Sequence, residues 1–308
     1  MRLPLSATSG PPSGPLAVES GRFRQILERA RAAGPLTDVR ERASLRVGPD
    51  GVAVVVVDGV LSKGGGWFGA STVAVRAQLR DAAAREGVRA ILLKVSSPGG
   101  FVDGTADLAA DVAAAAAAKP LEAYVEDIGG SAAYWVASQA TRVWANATAL
   151  VGSIGTYQVL WDESDAFRQM GVKVHVVSTG PLKGAGEPGT EITPEILKSE
   201  QTLVDDLNEH FLAAVRKGRG MTPKQVEAVA TGEVWIAAKA KALGLVDGVR
   251  TFDEVLDGLV ARADGAARRR TAGARLAVAR ARAPFDAEPR PRRDAAAVAV
   301  GRAQDAGR

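Results

Sequence analysis

Ser131, in the run Gly129-Gly130-Ser131-Ala132-Ala133-Tyr134-Trp135, and Lys183, in Gly180-Pro181-Leu182-Lys183-Gly184-Ala185-Gly186, are the residues of this chain best suited to covalent chemistry. A serine hydroxyl becomes a nucleophile only when a nearby base takes its proton. Conventional bases are scarce, because the 308 residues include two histidines and no cysteine. His175 stands in the alternating run Val172-Lys173-Val174-His175-Val176-Val177, and His210 in a long helical pattern; both read as ordinary structural or surface residues. The lack of cysteine excludes a thiol nucleophile, disulfides and cysteine-based zinc sites. With no His-Glu-x-x-His motif, metal-assisted hydrolysis has little support. The two residues, 52 positions apart, therefore make a serine/lysine hydrolase the leading expectation.

Each motif also has a plainer explanation. Ser131 follows two glycines at an expected helix start, where backbone N–H groups are unpaired and the N–H of Ala132 could meet an oxyanion. Serine is equally at home there as an N-cap. Ser97-Pro98-Gly99-Gly100 could be a simple type II turn. In the functional reading, Gly99 and Gly100 let a substrate backbone approach and leave the Gly100 amide as a second oxyanion donor. Lys183 lies among Pro181, Gly184, Gly186, Pro188 and Gly189, a stretch unlike a charged surface helix. A lysine serves as a general base only where burial lowers its pKa. A phosphate-binding loop is excluded, since no Gly-Lys-[Ser/Thr] follows a glycine spacer.

The elements that must position these residues alternate from Gly51 onward. Val52–Val57 is apolar throughout and predicts a strand covered on both faces. Ser71 or Thr72 caps a helix to about Arg85, closed by Gly87, and Ala90–Val95 is the next strand. Asp103–Ala118 reads as a helix, Leu121–Val125 as a strand, and Ser131 as the start of a helix to about Ala140. Strands follow around Thr141–Ala145 and Lys173–Ser178, then a helix from about Thr193 to Arg216 and one opening at Met221-Thr222-Pro223. Repeated strand–helix–strand units imply an α/β fold with parallel strands and right-handed crossovers. Both glycine motifs fall where strands end.

Composition divides the chain into an N-terminal extension (1–48), a main domain (49–264) and an Ala/Arg-rich tail (265–308). The extension is rich in proline, with one helical stretch over Phe23–Ala33. The tail holds 11 of the 39 basic and 4 of the 35 acidic residues, leaving residues 1–264 with 28 basic and 31 acidic ones. Pro284, Pro289 and Pro291 interrupt the tail, so partial helix and disorder are expected. It reads either as a solvated tail or as an arm for an acidic surface, nucleic acid or a partner protein. No apolar run reaches the roughly 18 residues that span a bilayer, and residues 1–18 lack the centre of a secretory signal, so cytoplasmic residence is expected.

Several ordered motifs together resemble the signal peptide peptidase A family of serine peptidases, especially its bacteriophage capsid-assembly protease branch. They are Ser97-Pro98-Gly99-Gly100, Gly130-Ser131-Ala132-Ala133-Tyr134, Val151-Gly152-Ser153-Ile154-Gly155-Thr156, Gly180-Pro181-Leu182-Lys183 and Ala242-Leu243-Gly244-Leu245-Val246-Asp247, and the similarity covers roughly residues 50–250. The resemblance implies a Clp protease/crotonase-like fold of repeated β-β-α units with flexible tails. It also implies Ser131 as nucleophile, Lys183 as general base, Ser153 hydrogen-bonded to that lysine, and an oxyanion hole from amides near Gly100 and Ala132. No cofactor or metal is implied. Expected partners are a peptide or protein substrate, further copies of the chain in a ring, and capsid, portal or scaffold proteins. The chain departs from many relatives in carrying Ser96-Ser97 where they have an acid before Ser-Pro-Gly-Gly. The membrane-bound branch uses an N-terminal anchor that this sequence lacks, so the phage-type branch is favoured, with action in the cytoplasm or a procapsid. The rivals are a soluble peptide-degrading relative, an inactive scaffold module, and a crotonase-type acyl-CoA enzyme.

Overall fold

In the computed structural model, residues 16–18, 45–65 and 69–282 are described. The helical expectation over Phe23–Ala33 lies outside them. The body of the molecule, ending at Asp264, is organised around an eight-stranded sheet. Its main path runs β10 (Gly248–Val249), β7 (Arg142–Ala145), β6 (Leu121–Gly130), β4 (Ala90–Ser97), β3 (Val52–Asp58) and β2 (Arg46–Val47). β8 (Leu150–Gly152) continues beside the far end of β6 and pairs in turn with β9 (Val234–Ile236). β3, β4, β6, β7, β8 and β10 are mutually parallel, whereas β2 and β9 are antiparallel to their neighbours. This is a mixed α/β architecture in which β2-β3-α1 and β4-β5-α2 repeat a strand–strand–helix unit, with β5 over Gly99–Phe101, α1 over Thr72–Ala84 and α2 over Thr105–Ala118.

Local chemistry explains the helix ends. Ser71 caps α1, its hydroxyl accepting from the Ala74 N–H. Thr193 caps α5 (Pro194–Arg219), with proline in the first turn and Gly220 in the left-handed region at the end. Thr222 and Gln225 form a reciprocal capping box at the start of α6 (Pro223–Val229). The remaining helices are α3 (Ala132–Ala137), α4 (Ser164–Gln169), α7 (Ala237–Ala242) and α8 (Phe252–Arg282).

Each sheet face has its own core. One face packs Val55, Val57, Ile91, Leu93 and Val125 against α1, α2, α3 and the C-terminal half of α5. The other packs Val52, Leu92, Tyr124 and Trp144 against Val255, Leu259 and Ala263 of α8. This second cluster takes in Val52 and the half-buried Val54 but not Val56, which is 44% exposed. The strand expected to be covered on both faces is thus covered at its start alone. Glu122, buried on this second face, accepts from Trp144 Nε1 at 2.7 Å and pairs with Arg262 at 2.5 Å, so its charge is satisfied.

One expected strand is absent: residues 172–178 form no ladder, and Val172, Val174, Val176 and Val177 are exposed. A period-two pattern needs a partner strand to satisfy its backbone, and none lies beside it among the described residues. The second unit, residues 265–308, is helical as far as Arg282, two residues before Pro284. Among the described residues, no helix is long and apolar enough to cross a membrane.

Candidate active site

The long central strand β6 runs out on Gly129 and Gly130 and delivers Ser131 to the first turn of α3. Glycine at 129 is required by packing, since a Cβ there would lie 2.9 Å from a Val125 methyl. Ser131 has φ 51° and ψ −121°, outside the comfortable regions for an L-residue. Such backbone costs about 1–3 kcal/mol and persists where surrounding contacts over-determine it. Those contacts are visible: the Ser131 N–H donates to Gly152 O at 2.8 Å, and its carbonyl accepts the first helical bond, from Trp135 N–H at 2.9 Å. The side chain makes no capping bond, contrary to the simpler reading of a serine at this position. Its Oγ instead donates a long hydrogen bond, 3.4 Å, to Gly155 O, and the residue is 1% exposed.

α3 is held rigidly behind it. Tyr134 donates its hydroxyl to Leu245 O at 2.8 Å, and burial raises its pKa well above the ordinary phenol value. Trp135 stacks on Phe211 of α5, with ring centroids 4.9 Å apart and planes within 9°. The nearby Asp247 receives the Val143 N–H at 2.7 Å and pairs with Arg219 at 2.9 Å. The sequence motif ending in Asp247 therefore anchors α3, β7 and α5 to one another.

Ser153 occupies the equivalent place on the next strand. β8 pairs with β6 in parallel, Gly130 opposite Gly152, so Ser131 and Ser153 are each the first residue beyond a matched pair. Ser153 is buried and also has positive φ, 50°, and its N–H donates to Glu233 O at 2.6 Å. Among the described residues these two serines are the only non-glycine positions with positive φ. Gly152 is fixed as glycine, with φ 128° and Glu233 O 2.7 Å from a notional Cβ.

Gly99 and Gly100 form the start of β5, separated by Pro98 from Ser97, whose buried hydroxyl accepts from the Gly99 N–H at 3.2 Å. Ser97 pairs with Gly129, which places β5 next to the Ser131 turn, and α3 packs against it. A Cβ on Gly100 would meet Leu61 O at 2.0 Å, so only glycine fits. Leu61, which sequence reasoning did not single out, donates its N–H to Gly99 O at 2.8 Å and accepts from Phe101 N–H at 2.9 Å.

Lys183 is placed differently. It lies in the turn-rich segment 181–186, exposed, with its N–H bonded to Gly180 O at 3.1 Å. It lines an open cleft of about 600 Å³ with Arg168, Lys173, His175 and Glu191, a lining that includes neither Ser131 nor Ser153. The structure thus brings Ser131, Ser153, Ala132 and the Gly99-Gly100 segment together and leaves Lys183 on a separate excursion of the chain. The root of that excursion is clasped by Asp162, another residue sequence reasoning passed over. Its carboxylate accepts from the Ile192 N–H at 3.0 Å and the Ser164 N–H at 3.0 Å. These bonds, that from Ile192 foremost, hold its pKa below the usual aspartate range.

Comparison with known proteins matches "Peptidase family S49" to residues 113–264. Protease 4 of Salmonella typhi is 34% identical over 209 residues, 67% of this chain and 33% of that protein. Capsid assembly protease C of Escherichia phage lambda is 28% identical over 195 residues, 61% of this chain and 44% of that protein. The chain therefore spans less than half the length of either relative. A crystal structure of an enoyl-CoA hydratase/isomerase family member aligns over 72% of this chain and 75% of its own, at 16% identity and a TM-score of 0.44. The matched segment contains Ser131, Ser153 and Lys183, and through it the chain is similar to peptidase family S49.

Proposed function

We propose that the chain is a serine endopeptidase in which Ser131 is the nucleophile and Lys183 the general base. The observation that carries this reading is the Ser131 backbone, held at positive φ on a strand–helix junction with its hydroxyl left out of helix capping. In the proposed cycle, Ser131 Oγ bonds to the carbonyl carbon of the substrate peptide while its proton passes to the neutral Lys183 amine. The negative charge moves to the carbonyl oxygen, where the N–H groups of Gly100 and Ala132 receive it. Lys183 then gives the proton to the departing amine as the C–N bond breaks. Water, deprotonated by Lys183, releases the acyl group from Ser131. Ser153, one strand over from the nucleophile, orients the lysine by a hydrogen bond.

Lys183 requires removal from water to act as a base. Its excursion carries exposed apolar side chains, with Trp161 68% and Val177 99% exposed, and the unpaired 172–178 segment. We assign the cover of this face to a neighbouring copy in a ring, which would dry the lysine and present it at a serine site. Native mass spectrometry should find oligomers, and Trp161→Glu should dissolve them.

The name of the phage lambda relative supports processing of a capsid, portal or scaffold protein as the role, in the cytoplasm or inside a procapsid. Co-expression with candidate capsid, portal and scaffold proteins tests that role. Shortened products should appear with the intact chain and vanish with Ser131→Ala. Unchanged processing in the variant would overturn the nucleophile assignment.

A further inference from the structure

The segment Leu16–Val18 forms a strand, β1, whose position bears on how substrate reaches Ser131. Among the described residues β1 pairs with β5 alone, antiparallel, with Leu16 opposite Phe101, Ala17 opposite Gly100 and Val18 opposite Gly99. β5 has two hydrogen-bonding edges. Leu61 occupies one, bonding to Gly99 O and Phe101 N–H in a parallel bridge centred on Gly100. Residues alternate in the edge they address, so the N–H and C=O of Gly100 face the other edge. That other edge is the one β1 covers.

We infer that Leu16–Val18 is the chain's own occupant of the edge on which an extended peptide substrate must pair, so that substrate enters by displacing it. The inference rests on the proposed role of the Gly100 amide. An extended peptide that adds to β5 antiparallel would place one residue opposite Gly100, with its carbonyl on the Gly100 N–H. In the chain as folded, Ala17 holds that place. Gly100 has no side chain, and Leu61 O lies where a Cβ would be, so recognition at this point is through the backbone. A two-stranded ribbon of three residues per strand is marginal on its own, which makes the occupant displaceable. A peptide that binds a site mostly filled in cis has its apparent affinity reduced by the fraction of molecules in which the site is open.

The test uses full-length protein carrying Ser131→Ala, so that binding is read without cleavage, and a fluorescent peptide copying residues 13–21. Ala17→Pro removes the N–H that pairs with Gly100 and leaves the β5 side untouched. Fluorescence anisotropy should show the peptide binding about tenfold tighter or better to the Ala17→Pro protein, as for an edge open in a tenth of molecules or fewer. Hydrogen exchange at the Gly100 amide should be faster in Ala17→Pro and slow again once peptide is added. Equal peptide affinity and equal Gly100 exchange with and without Ala17→Pro would overturn the inference. In protein with Ser131 intact, Ala17→Pro should lower KM for peptide cleavage with little change in kcat. Tighter binding without any cleavage would leave the docking edge standing and overturn the catalytic reading instead.

Discussion

Ser131 and Ser153 stand side by side, each the first residue beyond a register-matched glycine, Gly130 on β6 and Gly152 on β8, and each held at positive φ, 51° and 50°. Neighbouring strands are about 4.8 Å apart, so the two hydroxyls share one end of the sheet. The two strained turns are braced by one line of backbone bonds, from Ser131 N–H to Gly152 O and from Ser153 N–H to Glu233 O. Loss of the Gly152 geometry should therefore reach Ser131.

Gly100→Ala tests the close approach at β5. Its Cβ would meet Leu61 O at 2.0 Å, so β5 or the Leu61 segment must shift. Overpacking of this kind costs about 1–3 kcal/mol, and the proposed oxyanion geometry should suffer more than stability does. The expected result is a modestly lowered Tm and at least a tenfold fall in kcat/KM. Gly87→Ala, where a Cβ meets nothing within 4 Å, should change neither.

The Trp135–Phe211 stack ties the helix that begins after Ser131 to α5. Phe211 is fully buried, and Phe211→Ala should destabilise the protein by about 3–5 kcal/mol. Denaturant unfolding measures this, and Phe211→Leu should recover most of the loss. Tryptophan emission should shift to the red in the alanine variant as Trp135 gains water.

Lys183→Ala and Lys183→Arg should both abolish peptide cleavage, because arginine stays protonated and cannot replace a neutral amine. Lys183 is exposed in the single chain, so thermal unfolding at low protein concentration should change little, within about 0.5 kcal/mol. Activity lost without loss of stability is the expected signature of a base.

Asp162 predicts a pH effect at the root of the Lys183 excursion. Its pKa is depressed in the folded state by hydrogen bonds to its carboxylate, from the Ile192 N–H first and then from the Ser164 hydroxyl and N–H. A depressed carboxylate contributes in full above its unfolded pKa, and the contribution is lost as pH falls through the lower folded value. The Ile192 amide resonance should therefore titrate below the ordinary aspartate range, and Asp162→Asn should abolish that titration. A titration of the Ile192 amide unchanged in Asp162→Asn would contradict the clasp.

Much of the scaffold was legible from residues whose physics is local. Ser71, Thr193 and Thr222-Pro223 announce helix starts, and the apolar runs at Val52 and Ala90 announce strands, because capping and burial leave direct marks on composition. The junction bearing Ser131 was legible for the same reason. The positive φ of Ser131 and Ser153 was not, since serine at a strained angle is enforced by neighbours such as Gly152 and Glu233 that are distant in sequence. The run 172–178 shows the opposite failure, with strand periodicity present and no partner strand among the described residues. β1 was hidden in a proline-rich extension, because three residues paired to β5 carry too short a pattern to read.

The central claim is that Ser131 is the nucleophile, and mass spectrometry of the intact protein after treatment with a fluorophosphonate tests it most directly. One adduct per chain is predicted, mapped by peptide sequencing to Ser131, lost in Ser131→Ala and strongly slowed in Lys183→Ala. An adduct on another residue, or cleavage activity retained in Ser131→Ala, would contradict the account.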